Sequence, residues 1–312
     1  MKKHLKTRFL AILFLCVLLL SGCSLPGLGS QKSDDTITIG SSIATENQIL
    51  AGALKELIEH ETNLKVNIVN NLGTSMVLHK AQYNNEIDIS ACRYTGTDIA
   101  NLLGTPPHDP KKALEVVQET FPKKYHATWF PSYGFDNTYA FMVTQQTAKK
   151  YHLNTLSDLQ KAAPHKTVGV DSSWLNRKGD GYQAFIKKYN LHFKKVVPMQ
   201  IGLVYDAVHN GKMDMVLGYS TDGRIASYHL KILKDDLNFF PPYDASLVVN
   251  NDVLKKHPEL KPLLERMANT ITTKEMQKLN YEADNNLEEP EVVGANFVKE
   301  HHYFQNKAKG GN

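Results

Sequence analysis

Apolar and polar positions repeat with two different periods along this 312-residue chain. Residues 36–40 (TITIG) read as a short strand. The segment after them sets Ile49, Leu50, Ala53, Leu54, Leu57 and Ile58 on one helical face, with Glu46, Lys55, Glu56 and Glu59 mostly off it. Leu64, Val66 and Ile68 then alternate as a strand, followed by a helix near 75–85 and a strand at 87–90. The middle continues the rhythm: strand 139–144, a helix entry at 155–159, strand 167–170, helices 180–189 and 204–210, and a buried strand at 214–218. Helical periods take over at 252–256, 259–269, 273–285 and 291–302. Strands alternating with helices predict an α/β fold whose helices cross over between strands. The chain shows no internal repeat, and residues 307–312 are expected to form a disordered tail.

One apolar run fits neither period. Phe9–Leu20 is apolar throughout, behind Lys2, Lys3, Lys6 and Arg8. Twelve residues are too few for a bilayer core, which takes ~20, but they fit the apolar stretch of a signal peptide. The run ends in Leu20-Ser21-Gly22-Cys23, which resembles the lipobox of bacterial lipoproteins. Residues 1–22 are therefore expected to be a signal peptide and Cys23 a lipidated N-terminus. Residues 23–35, from Cys23 through a Ser/Gly/Pro-containing stretch, are expected to form a flexible tether to a body on the extracytoplasmic face of the cell membrane. Removing residues 1–22 takes away three Lys, one Arg and no acids, which accounts for the whole net charge of +4. A near-neutral mature chain offers no basis for a nucleic-acid partner. Cysteine use agrees, because only Cys92 remains in the body, so its core alone must hold it together. Following Ile87 and Ile89, Cys92 reads as a small buried residue.

Motifs for bond-breaking chemistry are absent. The chain has no Gly-x-Ser-x-Gly, phosphate-binding loop, Gly-x-Gly-x-x-Gly, His-Glu-x-x-His or Cys-x-x-Cys. Its 13 His are scattered, with His301–His302 the only adjacent pair, whereas zinc needs three or four converging ligands. The pairs Asp235–Asp236 and Glu288–Glu289 read as solvated faces. No catalytic residue, metal or cofactor is expected.

Four tyrosines stand beside glycines and turns at apparent strand ends, where α/β folds present ligand-binding groups. They are Tyr94 in Tyr-Thr-Gly-Thr, Tyr139 after Asp136-Asn137-Thr138, Tyr219 in Gly-Tyr-Ser-Thr-Asp-Gly-Arg, and Tyr243 in Pro-Pro-Tyr-Asp. Tyr151 and Tyr189, in Lys-rich helical stretches, read instead as surface residues. With Thr36-Ile-Thr-Ile-Gly40, Thr45-Glu46, Ser157-Asp-Leu159 and Pro242-Tyr243, these strings fall in one order behind the lipobox. The chain thereby resembles the substrate-binding lipoproteins of glycine betaine/carnitine/choline importers of the ATP-binding-cassette class, over nearly all of residues 36–305.

The resemblance implies a type II periplasmic-binding-protein fold with a ligand cleft between two lobes: residues 36–140 and 244–306 in lobe one, 141–243 in lobe two. It implies an aromatic cage of Tyr94, Tyr139, Tyr219 and Tyr243, partnered by a membrane permease and its ATPase subunits. Thr97, Asn137, Asn47 and Arg177 match polar pocket positions, Arg177 as the partner of a ligand carboxylate. Thr97 also reads as an N-cap for a helix over 98–103. Two departures stand out: the family usually has Gln or Lys where this chain has Asn47, and the arginine motif carries one extra residue, Arg177-Lys178-Gly179-Asp180-Gly181. Tyrosine suits a trimethylammonium group, which is fully charged yet has no N–H to donate. Each aromatic face contributes ~0.5–2 kcal/mol, so four supply roughly 2–8 of the ~8 kcal/mol that micromolar affinity requires. Alternatives are another small ligand, such as an amino acid or polyamine, and a surface-anchored esterase.

Overall fold

A computed structural model describes residues 35–305 apart from residue 178. The signal peptide, Cys23, nearly all of the tether and the 307–312 tail lie outside the described residues. Ten strands are formed among them: β1 Thr36–Gly40, β2 Lys65–Val69, β3 Ile89–Tyr94, β4 Ala127–Trp129, β5 Tyr139–Thr144, β6 Thr167–Asp171, β7 Lys195–Met199, β8 Met215–Tyr219, β9 Leu230–Ile232 and β10 Ala245–Asn250.

They make two five-stranded sheets, ordered β2-β1-β3-β10-β4 and β7-β6-β8-β5-β9. In the first, β1 runs parallel to β3, while β10 is antiparallel to both β3 and β4. In the second, β6 is parallel to β7 and β8, and β5 is antiparallel to β8 and β9. The chain leaves the first sheet after β4, builds the whole second sheet, and returns as β10 to the interior of the first. Two connections therefore join the sheets, residues 130–138 and 233–244, and they touch each other at an antiparallel bridge between Asp136 and Asp244.

Each sheet has its own apolar core. The first gathers Ile37, Ile39, Leu50, Leu54, Ile89 and Val249 under the Thr45–Glu61 helix. The second gathers Phe141, Val168, Val170, Trp174, Phe185 and Leu217. Helix Pro290–Glu300 lies along Thr45–Glu61 so closely that a Cβ at Gly294 would meet the Ile49 carbonyl oxygen at 1.9 Å. Only glycine permits that backbone approach. No helix among the described residues is long and apolar enough to cross a membrane.

Strand 139–144 and helix 273–285 form over the residues their pattern predicts, and most other predicted elements shift by one or two residues. The clearest omission is helix Pro110–Lys124. Its signals are present in the sequence: Asp109 accepts a hydrogen bond from Lys112 N at 3.0 Å, Pro110 opens the first turn, and the buried Ala113, Val117 and Phe121 recur every four residues. Strand β7 was missed because it carries Pro198, which its place at the sheet edge tolerates.

Three local readings need correction. Tyr189 is not a surface residue; it is fully buried, and its hydroxyl donates to Asp235. Asp235 is accordingly more than a solvated charge, since its carboxylate also accepts from Phe239 N and Phe240 N at 2.9 Å each and ties the 235–240 turn. Thr97 is not an N-cap, because the helix already begins at Thr95 and runs on into a π-turn at Ile99–Leu103. Cys92 is buried, as its apolar surroundings predict.

Candidate functional site

Strand register brings the tyrosines together. Antiparallel pairing of β5 with β8 sets Tyr139 directly opposite Tyr219, with ring centroids 5.5 Å apart. Opposed residues on neighbouring strands project to the same face, so the two rings are neighbours by construction. The register of β10 with β3 places Ala245 opposite Tyr94, so Tyr243, two residues earlier, enters beside the end of β3. Its ring meets Tyr139 edge-on, 6.2 Å between centroids. Phe240 and Trp174 back Tyr139 at 5.6 and 6.2 Å. Tyr94 arrives from the first lobe and is half-buried; it packs against both apolar cores.

The turn after Tyr94 is stitched to the second connection. Thr95 N donates to Asp244 O at 3.2 Å, and Gly96 N and Thr95 Oγ1 donate to Pro242 O at 3.0 and 3.1 Å. A Cβ on Gly96 would lie 2.5 Å from that same Pro242 oxygen. The glycine of Tyr94-Thr-Gly-Thr97 is thus what lets the turn close on Pro242-Tyr243.

Behind Tyr94 stands Glu46, only 3 % exposed. Its carboxylate accepts from the Tyr94 hydroxyl, from Asn137 Nδ2 at 2.5 Å and from Asn280 Nδ2 at 3.4 Å, and the Thr221 side chain also reaches it. Burial pushes the Glu46 carboxyl above its ordinary range, against the pull of those four partners. Tyr243 has a parallel arrangement. Its hydroxyl donates to Asp180 Oδ2, while Arg177 Nε holds Asp180 Oδ1 at 2.6 Å and Arg177 Nη2 lies 3.3 Å from the Tyr243 oxygen. Burial and the adjacent Asp180 raise the Tyr243 phenol well above its usual range, so it stays a neutral donor.

The polar residues expected from sequence take different positions. Asn47 is buried behind Tyr94, giving Nδ2 to Ser42 Oγ at 2.6 Å, with its Oδ1 2.9 Å from the Tyr94 hydroxyl, whose single hydrogen it shares with Glu46. Asn137, on the first connection, spends Nδ2 on Glu46, and its buried Oδ1 receives no protein donor. Arg177 reaches the cluster from the second lobe, its guanidinium 5.7 Å from the Tyr139 ring centroid. Thr97 is half-buried in the short helix Thr95–Asp98.

Sequence reading missed Glu46, Asp180 and Tyr205. Glu46 falls off the apolar face of its helix, so periodicity assigns it to solvent; its one signal was the Thr45-Glu46 string. Tyr205 is 1 % exposed and accepts from Tyr219 N at 2.8 Å, fixing the backbone under that ring. Two cavities lie beside the cluster, one at the Arg177–Asp180 pair and one at Tyr219. One, of about 420 Å³, is lined by Arg177, Asp180, Ala100, His108 and Pro241, and the other, of about 340 Å³, by Glu46, Asn137, Tyr219, Thr221, Asn280 and Asp284. No cluster of three or more potential metal ligands occurs among the described residues.

The protein-family model for the substrate-binding domain of ABC-type glycine betaine transport systems, OpuAC, matches residues 35–300. The chain belongs to this family. Among its relatives, the carnitine transport binding protein OpuCC of Listeria monocytogenes is 56 % identical over 308 residues, 98 % of this chain and 100 % of that protein. A glycine-betaine-binding protein of Pseudomonas aeruginosa is 29 % identical over 88 % of this chain and 91 % of its own length. Among solved structures, that of a glycine betaine/carnitine/choline ABC transporter superposes with a TM-score of 0.82 at 53 % identity, covering 86 % of this chain and all of that one. The family's fold is the two-lobed type II arrangement, with the ligand cleft between the lobes. The relatives are transport binding proteins rather than enzymes.

Proposed function

We propose that this protein captures quaternary-ammonium solutes (glycine betaine, carnitine and choline) in a cage of Tyr94, Tyr139, Tyr219 and Tyr243 and delivers them to the permease and ATPase subunits of an ABC importer. The observation that carries this reading is the convergence of Tyr219 and Tyr243 on Tyr139, at 5.5 and 6.2 Å between ring centroids, with Tyr94 packed onto the same cluster from the opposite lobe. Clustered phenol rings supply negative faces and apolar contact without a hydrogen-bond acceptor that a methylated cation cannot use, and Tyr219 lines a cavity beside them. Amino acids and polyamines carry N–H donors and gain less from such a surface. Arg177 is the candidate partner for a ligand carboxylate; Thr97 and Asn137 border the cage, and Asn47 holds the Tyr94 hydroxyl. Lipidation at Cys23 anchors the chain to the extracytoplasmic face of the membrane.

Trp174 lies 6.2 Å from Tyr139 and reports directly on the cage. Titration with glycine betaine, carnitine and choline, against putrescine and glycine as controls, is expected to change its fluorescence with the quaternary ammonium ligands alone. Replacing Tyr219 by Leu keeps apolar bulk and removes one π face, which weakens binding roughly 2–30-fold. No response to any of the three solutes at millimolar concentration sinks the proposal. Metabolic labelling with palmitate, lost in Cys23→Ala, checks the anchor.

A further inference from the structure

A permanent cation leaving water for a box of neutral rings gives up its hydration, and the rings return only part of it. A negative charge close to the box offsets the remainder. It need not touch the ligand, because trimethylammonium offers no hydrogen bond to orient a carboxylate. Two of the four tyrosines donate their hydroxyl hydrogens to carboxylates, Tyr94 to Glu46 and Tyr243 to Asp180. A phenol so engaged keeps its oxygen rich in electron density and its ring face more negative.

The two carboxylates differ in net charge. Asp180 is paired with Arg177 at 2.6 Å, so that unit is neutral overall. The hydrogen-bond partners of Glu46 are Tyr94, Thr221, Asn137 and Asn280, all uncharged. Asn137 and Asn280 give N–H donors and the two hydroxyls can donate as well, a set that favours the ionised carboxylate against the burial that raises it. The partners also come from separate parts of the fold: β3, the first connection, the turn after β8 and the Thr273–Asn285 helix. Glu46 therefore sits behind the cage with its charge unopposed.

We propose that Glu46 is the net counter-ion of the bound cation, acting on it through the field of its charge and through the Tyr94 phenol. This rests on the quaternary-ammonium reading of the cage, and the test separates the two. The probes are glycine betaine and 3,3-dimethylbutanoate, which keeps the carboxylate and replaces the trimethylammonium by an uncharged tert-butyl group of nearly the same shape. Binding is measured by calorimetry for the wild type, Glu46→Gln, Tyr94→Phe and the double variant. Glu46→Gln should weaken glycine betaine at least about fivefold and leave dimethylbutanoate unchanged or tighter, since a buried charge acts strongly on one probe and not in the same sense on the other. Tyr94→Phe should remove most of the same preference, and adding Glu46→Gln to it should change little more. Tyr94→Phe keeps the ring and carries the test even if Glu46→Gln does not fold. Equal weakening of both probes by Glu46→Gln, or by Tyr94→Phe, makes Glu46 a spacer and overturns the inference while the cage stands. A wild type that fails to prefer glycine betaine over its uncharged counterpart overturns the cage reading itself.

Discussion

Asp136 occupies the point where the two connections between the lobes meet. Its Oδ1 accepts from Tyr243 N at 2.8 Å, and its backbone bridges Asp244. Burial, joined by repulsion from Asp244 and Glu46, raises its carboxyl from 3.8 to about 6. A carboxyl raised on folding binds its proton more tightly in the folded chain than in the unfolded one. The associated stabilisation is complete below 3.8 and is lost as pH rises through about 6, a difference of at most about 3 kcal/mol. Asp136→Asn keeps the acceptor for Tyr243 N and removes the charge. Its thermal midpoint should exceed that of the wild type by several degrees at pH 7.5, and the two should converge towards pH 4. Identical midpoints across that range would contradict the assignment. At this scale the tyrosines were legible, because turn residues beside an aromatic at a strand end stand out in one dimension. Glu46 was not, because its burial comes from residues as distant as Asn137, Thr221 and Asn280.

The element that follows Tyr94 and carries Thr97 is a short helical turn, Thr95–Asp98, too short to hold its own shape. It is held from below by Arg93, whose Nε and Nη2 bind both oxygens of Asp98 at 2.8 and 2.7 Å, with neither side chain exposed. Removing one partner of such a pair strands the other charge in the core. Asp98→Ala should cost about 3–5 kcal/mol in denaturant unfolding, whereas Asp98→Asn, which keeps an acceptor, should cost less. Equal, small losses for both would show that the pair is dispensable. The α/β alternation was legible wherever a buried face repeats at its own period, although helix Pro110–Lys124 and strands β7 and β10 went unread. For β4 and β9, three residues each, there is no period to read.

At the scale of the whole molecule, the lobes meet along the connections, at Tyr94 and beside the Thr273–Asn285 helix. There Gln277 Nε2 donates to Ser220 O at 2.7 Å and Asn280 Nδ2 to Thr221 O at 2.9 Å, reaching the turn that follows Tyr219. These bonds exist only while the lobes are together, so they bias the hinge towards closure. Gln277→Ala removes one of them without touching the tyrosines. One hydrogen bond is worth about 0.5–1.5 kcal/mol, which predicts roughly 2–10-fold weaker ligand binding, expressed mainly as faster release. Small-angle scattering of the ligand-free variant should show a larger radius than the wild type; unchanged affinity and radius would refute the latch.

The sequence alone determined the α/β alternation, the lack of any motif for bond-breaking, and four tyrosines at strand ends in an order that matches one family of binding proteins. These are local facts, readable from period, turn chemistry and short strings. Tertiary structure decided which rings touch and which charges are buried. The pairings of β5 with β8 and of β10 with β3 join residues about 80 and 150 positions apart in the chain, and no local period encodes that register. Glu46 lost its solvent for the same reason, since its partners reach it only after both sheets have formed and met.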